Sequence, residues 1–187
     1  MNYLKLRERQ KAAKILQFSN KTFHSGLNVT VRRGTKWHGT KSAWIELGEG
    51  MMIFCDHVFT QVKEFNQLND LDLEHDPKCR NYYGLLEVMK EVYPEFNPGE
   101  MVTLVYFFMP EARTPVVGDD ILYVEMVVGS FGTISEVIDL DNGFFELHID
   151  GHSGDKFGTM LMNQFHWNDD NDGWFQNETY KPGRNIG

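Results

Sequence analysis

The sequence predicts an α+β chain, mostly β, arranged as two β-rich domains with few helices. Three observations predict it. Short segments with strand chemistry recur from Lys14 to Met162, and only two longer segments carry helical spacing. Between them, Pro110-Glu111-Ala112-Arg113-Thr114-Pro115 separates a region holding both helices from one holding only strand patterns and turns. At 187 residues and 41% hydrophobic, the chain has material for one large or two small cores.

In the first domain, residues 1–110, residues 3–14 read as a short amphipathic helix with Leu4, Leu6, Ala12 and Ala13 among charges. Lys14–Phe18 has strand character, and Asn20–Ser25 reads as a brief helical turn ended by Gly26, a good C-cap residue. Val29-Thr30-Val31-Arg32 alternates apolar and polar side chains, the period of a half-buried strand. A further strand covers Ala43–Leu47, turning at Gly48-Glu49-Gly50, and Met51–Lys63 reads as one buried strand. Asn66–Pro77 is acidic and rich in turn residues. Tyr82–Tyr93 then places Leu85, Leu86, Val88, Met89 and Val92 on one broad apolar helix face, and Pro94 stops it. Met101–Met109 is the most apolar strand of the chain and the predicted centre of the first core.

The second domain, residues 115–165, is predicted as a small curled β-barrel. Its strands are Ile121–Val128, Gly132–Asp139, Phe144–Asp150 and Asp155–Met162. The turns fall at Gly118-Asp119-Asp120, Gly129-Ser130, Asp141-Asn142-Gly143 and His152-Ser153-Gly154. The stretch 166–187 is polar and reads as a C-terminal tail that wraps or frays.

The formal net charge of −9 hides an uneven distribution. Residues 1–43 hold ten Lys/Arg and a single acid, Glu8, giving +9, whereas residues 44–187 carry −18. A polyanion meets a local patch, because charges are screened beyond about 8 Å in physiological salt. The basic first quarter therefore keeps nucleic acid open as a partner, the alternative being an arm that neutralises the chain's own acids. No run approaches the roughly 18 apolar residues that a spanning helix needs. The basic segment Met1–Lys14 is followed by no apolar export core. Cys55 and Cys79 are too few for a disulfide framework. A soluble, cytoplasmic protein with no membrane partner is the expectation.

Two motifs, in this order, carry a family resemblance. The first is Ser25-Gly26-Leu27-Asn28-Val29-Thr30-Val31-Arg32 followed by Arg33-Gly34-Thr35-Lys36-Trp37. The second is the Leu85–Pro94 helix ending in Tyr93-Pro94, followed by the strand Glu100–Phe107. Over about residues 14–109 the chain resembles the ASCH family of PUA-like barrels. The resemblance implies a PUA-like β-barrel with packed helices, and a pocket bounded by the Thr-x-Arg strand and the segment before the helix. It also implies an RNA, nucleotide or nucleoside ligand.

Some members of that family are amidohydrolases that deacetylate 4-acetylcytidine and related nucleosides, with a Lys as base, a Thr as nucleophile and a Glu as its partner. Thr30 matches the threonine and Arg32 the arginine, but the lysine position is Leu27, which can neither accept a proton nor donate one. The family's glutamate falls within Asp72–Arg80, where Glu74 is the nearest match in type and Asp76 the next. If the chain is an enzyme, Thr30 and Glu74 are its candidate catalytic residues.

Without the lysine, a binding strand remains. Arg32, Arg33, Lys36, Trp37 and Lys21 are the candidate nucleic-acid-binding residues, combining guanidinium forks, ammonium groups and one large aromatic. Strand alternation sends Thr30 and Arg32 to one face and Arg33 to the other. The alternative gives Arg32 a barrel carboxylate as partner and makes Trp37 a cap on the barrel.

The leading function is therefore RNA or nucleotide binding, with amidohydrolysis of an acylated nucleoside as the alternative. A third reading makes the acidic second domain an adaptor for a basic protein partner. Val117-Gly118-Asp119 and Gly129–Val137 resemble small KOW-like barrels of the Src-homology type, which implies recruitment rather than catalysis.

Other signals carry less. Asn168–Gly173 has oxygens at alternate positions, as a calcium loop does, but Asn168 stands first and Thr179 twelfth, where a bidentate Glu is needed. The scattered histidines give no zinc spacing. Cys79, near Lys78 and Arg80, has charges that would lower a thiol pKa, but no catalytic partner can be assigned. Gly48-Glu49-Gly50 lacks the Lys of a phosphate loop. No metal and no cofactor is expected.

Overall fold

The computed structural model describes residues 3–19, 21–125, 128–152, 156–168 and 173–177. The fold is mostly β, with a curled half-barrel sheet and few helices. It divides into two compact units, Met1–Pro110 and Glu111–Gly187.

The first unit opens with helix α1 (Tyr3–Ala12), then strands β1 (Lys14–Leu16), β2 (Gly26–Arg33), β3 (Ala43–Gly48), β4 (Met51–Cys55) and β5 (Val58–Glu64). Two 3₁₀ turns, Phe65–Gln67 and Asp70–Leu73, lead to helix α2 (Tyr82–Val92) and strand β6 (Met101–Met109). The strands form two three-stranded sheets, ordered β1-β3-β4 and β2-β6-β5. In the second sheet β6 is central and antiparallel to both neighbours. Val29 and Val31 of β2, with Val102 and Leu104 of β6, face a core completed by Leu85 and Met89 of α2. The Asn81 side chain caps α2 by accepting from Gly84 N at 2.9 Å. On the other sheet face, Phe107 packs against Phe18 and Phe23.

Two local expectations change here. Residues 21–24 form no helical turn, and Gly26 starts β2 with a positive φ of 86° instead of capping a helix. The buried Asn28 side chain explains it, holding His24 O at 2.7 Å and Gly26 O at 3.0 Å while accepting from His24 N at 3.2 Å. These bonds replace the ones a helical turn would have made. The segment 51–63 is two strands, with the chain leaving the first sheet at Asp56-His57 to join the second. Strand-forming residues continue on both sides of Asp56-His57, so local sequence does not reveal the change of sheet.

The second unit is one six-stranded sheet of order β10-β9-β8-β7-β12-β11. Its strands are β7 (Asp120–Glu125), β8 (Val128–Asp139), β9 (Phe144–Gly151), β10 (Lys156–Asn163), β11 (Trp167–Asn168) and β12 (Gly173–Asn177). Among the described residues β10 and β11 are not bonded to each other, so the expected small curled barrel is seen as a sheet with two edges. Asp141, Asn142 and Gly143 all have positive φ, as the turn residues there require. Gly129 and Ser130, expected in a turn, pair with Val124 and Tyr123 inside β8.

The described part of 166–187 is not a fraying tail. β12 pairs in parallel with β7, and Trp174 is fully buried among Ile121, Ile134 and Leu147. Its polar average concealed Trp167, Trp174 and Phe175, whose burial requires the strand. The expected turn at His152-Ser153-Gly154 and the calcium-like run 168–173 fall largely outside the described residues, as does 178–187.

Candidate functional site

The β2 strand sorts its side chains as the alternation requires. Val29 and Val31 enter the core, while Asn28, Thr30 and Arg32 face the side that carries Phe107. Arg32 lies opposite Thr103 and Thr30 opposite Val105 in the β2–β6 ladder.

The Arg32 guanidinium lies over the Phe18 ring at 4.8 Å and donates from Nη2 to Gln17 O at 2.7 Å. Its Nε is shielded from solvent and has no hydrogen-bond partner. Burial pushes the guanidinium pKa down, partly offset by Tyr93 and Asp76. The phenyl face fixes the plane of the cation, and with it the direction of the unused donor.

The segment before α2 brings Asp76 to the edge of β2. His75 O accepts from Val29 N at 3.0 Å, laying residues 75–76 along the free edge of β2. The Asp76 carboxyl accepts from Lys78 N at 2.9 Å and Cys79 N at 2.6 Å through one oxygen. Burial raises its pKa, opposed by those two amides and by the charges of Arg80 and His24. Asp76 is 8% exposed, whereas Glu74 projects into solvent. The buried acid of this segment is thus Asp76, the residue ranked second by type.

The remaining candidates spread out. Arg33 is turned away, bonded to both Glu100 oxygens and lying 5.4 Å from the Tyr93 ring. Lys21 pairs with Glu46 at 3.3 Å. Lys36 is exposed in the loop after β2, and its carbonyl accepts from Lys14 Nζ at 2.6 Å. Trp37 is half-buried with Lys14 Nζ 5.3 Å from its ring centre. The structure therefore sets Arg32 on the Phe18 ring, lays the segment of the buried Asp76 along the edge of the same strand, and leaves Arg33, Lys21, Lys36 and Trp37 on other parts of the surface.

Thr30 is half-buried between Asn28 and Arg32 on its strand face. Lys21 is engaged by Glu46, and Leu27, three residues before Thr30, carries no group that can take a proton. Neither Phe18 nor His24 stands out in the sequence. An aromatic four residues past Lys14 and a histidine before Gly26 carry no periodic signal. Both cysteines are buried and free, and burial together with Asp76 pushes the Cys79 thiol up rather than down. Among the described residues, no group of three or more His, Cys, Asp or Glu is placed to hold a metal ion. None of the described helices is long and apolar enough to cross a membrane.

Comparison with known proteins finds no matching family model, no matching curated protein and no matching solved structure.

Proposed function

We propose that the chain binds a nucleotide, or a nucleotide unit of RNA, at Arg32 of an ASCH-like, PUA-like first domain. The observation that carries the reading is the Arg32 Nε, a shielded cationic donor with no acceptor. A buried donor without a partner costs about 1–3 kcal/mol, and an oxygen from a ligand removes that cost. A base carbonyl or a phosphate oxygen suits a guanidinium whose plane is already fixed on Phe18. Asp76, in the segment bonded along the edge of β2, offers a buried acceptor for an amino group of the ligand.

Amide hydrolysis is less well supported. A threonine hydroxyl attacks an amide poorly without a base, and position 27 supplies none.

Equilibrium binding of mononucleotides and short oligoribonucleotides to the wild type, Arg32→Lys and Arg32→Ala tests the proposal, with circular dichroism as the check on folding. Arg32→Ala is expected to weaken binding at least about tenfold, and Arg32→Lys to restore little, because an ammonium lacks the Nε–H. No binding by the wild type at low salt, or affinity unchanged in Arg32→Ala, overturns it.

A further inference from the structure

A second surface lies on the opposite face of the β2-β6-β5 sheet from Arg32. Phe59 of β5 stands opposite Tyr106, and Phe108 lies two residues further along β6, so both project to one side. They are 60% and 51% exposed, unusual for two neighbouring aromatic rings with no polar atom. Between them and the end of β4 lies a groove of about 490 Å³ whose lining includes Ile53, Phe54, His57 and Met109.

The wall of this groove is tied to the basic helix. Arg9 Nη2 donates to Asp56 O at 2.6 Å. Trp44, whose ring packs 5.1 Å from that of Phe54, donates from Nε1 to Gln10 O at 2.9 Å. Helix α1 is thereby held along the groove with Arg7 and Lys11 exposed. Glu8 is the one acid of α1.

We infer that this groove and helix α1 together bind single-stranded nucleic acid, with bases stacking on Phe59 and Phe108 and phosphates following the cations of α1. The pairing of parts decides the class. An apolar groove alone would suit a hydrophobic peptide, but a helix with Arg7, Arg9 and Lys11 beside it favours a polyanion. Among nucleic acids, a phenyl face can stack only on bases that are already unstacked, which favours a single strand over a duplex. Both ribose and deoxyribose strands offer that chemistry. The inference shares with the Arg32 reading only the class of ligand, since the two surfaces have no residue in common.

The test is fluorescence anisotropy with a labelled twelve-nucleotide oligo-uridine and an oligo-thymidine of equal length. It uses the full chain, Phe59→Ala, Phe108→Ala, their double variant, and Arg7→Ala with Lys11→Ala. Each phenylalanine loss is expected to weaken strand binding about tenfold, stacking being sequence-tolerant and local. Removing Arg7 and Lys11 is expected to flatten the dependence of log K on log salt by about 0.7 per residue. Uridine monophosphate, measured in parallel, reports on the proposed Arg32 site and is expected to bind the groove variants as it binds the wild type.

Loss of strand binding in the phenylalanine variants supports the inference even where Arg32→Ala changes nothing, an outcome that would sink only the proposed Arg32 site. A preference for uridine over thymidine strands, or none, then tells which source the groove takes. The inference is overturned if the folded double variant binds both strands as tightly as the wild type. It is equally overturned if the wild type ignores both strands at low salt but takes up an apolar peptide.

Discussion

Arg33 grips Glu100 through two hydrogen bonds, Nε at 2.7 Å and Nη2 at 3.0 Å from the two carboxylate oxygens. The pair holds Glu100 below the usual carboxylate range and Arg33 above its usual value, through their mutual hydrogen bond. Its neighbour Arg32 bonds a backbone carbonyl and an aromatic face instead. One arginine is satisfied at the surface, and the other keeps an unused donor in shelter. Adjacent positions on a strand thus receive opposite roles from the side-chain period of two.

That contrast gives the first prediction. Arg33→Ala is expected to leave mononucleotide affinity within about twofold of the wild type, and the melting temperature nearly unchanged, as is common for exposed ion pairs. Side-by-side titration of Arg32→Ala and Arg33→Ala checks it. Equal losses would mean that the two arginines act on one ligand, contrary to their placement.

The second prediction concerns Asp76 and pH. Its folded pKa is raised, so the native state holds the proton to a higher pH than the unfolded chain does. Between those two values the native state binds more protons, and the Asp76 contribution to stability falls as pH rises. Asp76→Asn keeps an oxygen for Lys78 N and Cys79 N but cannot ionise. The stability of Asp76→Asn relative to wild type is therefore expected to increase from pH 4 to pH 7. Urea midpoints at several pH values measure it, and a difference that shrinks with rising pH would refute the assignment.

Much of this arrangement is visible in the residues, and the failures have identifiable causes. The core face of α2 follows from Leu85 and Met89, and the two faces of β2 follow from Val29, Val31 and Arg32. Alternation and helical spacing depend only on which side is buried, so local sequence suffices. The position of Asp76 was hidden, because it depends on a backbone bond from Val29 to His75, forty-six residues apart in sequence. The division of 51–63 was hidden for a similar reason, since β4 and β5 find different partners. Residue type favoured Glu74, but only the path of the chain decides which acid is buried.

Asn28 supplies a third prediction. It is fully buried, and its amide bonds both the N–H and the C=O of His24. Asn28→Ala leaves those groups without partners in a shielded place, at about 1–3 kcal/mol for each. The loop 21–24 also carries Phe23, whose ring packs on Phe18 at 5.0 Å. Asn28→Ala is therefore expected to lower both stability and nucleotide affinity. Asn28→Asp retains the bond from His24 N but loses both donated bonds, and should fall with it. Denaturant unfolding combined with ligand titration reads both effects, and normal affinity in a folded Asn28→Ala protein would separate this loop from the proposed Arg32 site.

The last prediction separates a strand from a tail at the C-terminal end. Trp174 is fully buried, stacks edge-on to Trp167 with ring centres 5.4 Å apart, and donates from Nε1 to Asp119 Oδ2 at 3.2 Å. That oxygen also accepts from Val116 N at 2.9 Å, so the indole ties β12 to the turn before β7. Trp174→Ala removes the largest side chain of this core and is expected to cost about 3–5 kcal/mol. Trp174→Phe keeps much of the apolar volume and leaves Asp119 its backbone donor, so about 1–2 kcal/mol is expected. Because the chain has two units, a single transition cannot be assumed, and near-ultraviolet dichroism of the full chain follows the unfolding best. If residues 173–177 were a loose tail, neither change would move the urea midpoint. An unequal pair of losses requires Trp174 to be part of the core, since only a buried ring is sensitive to the difference between phenylalanine and alanine.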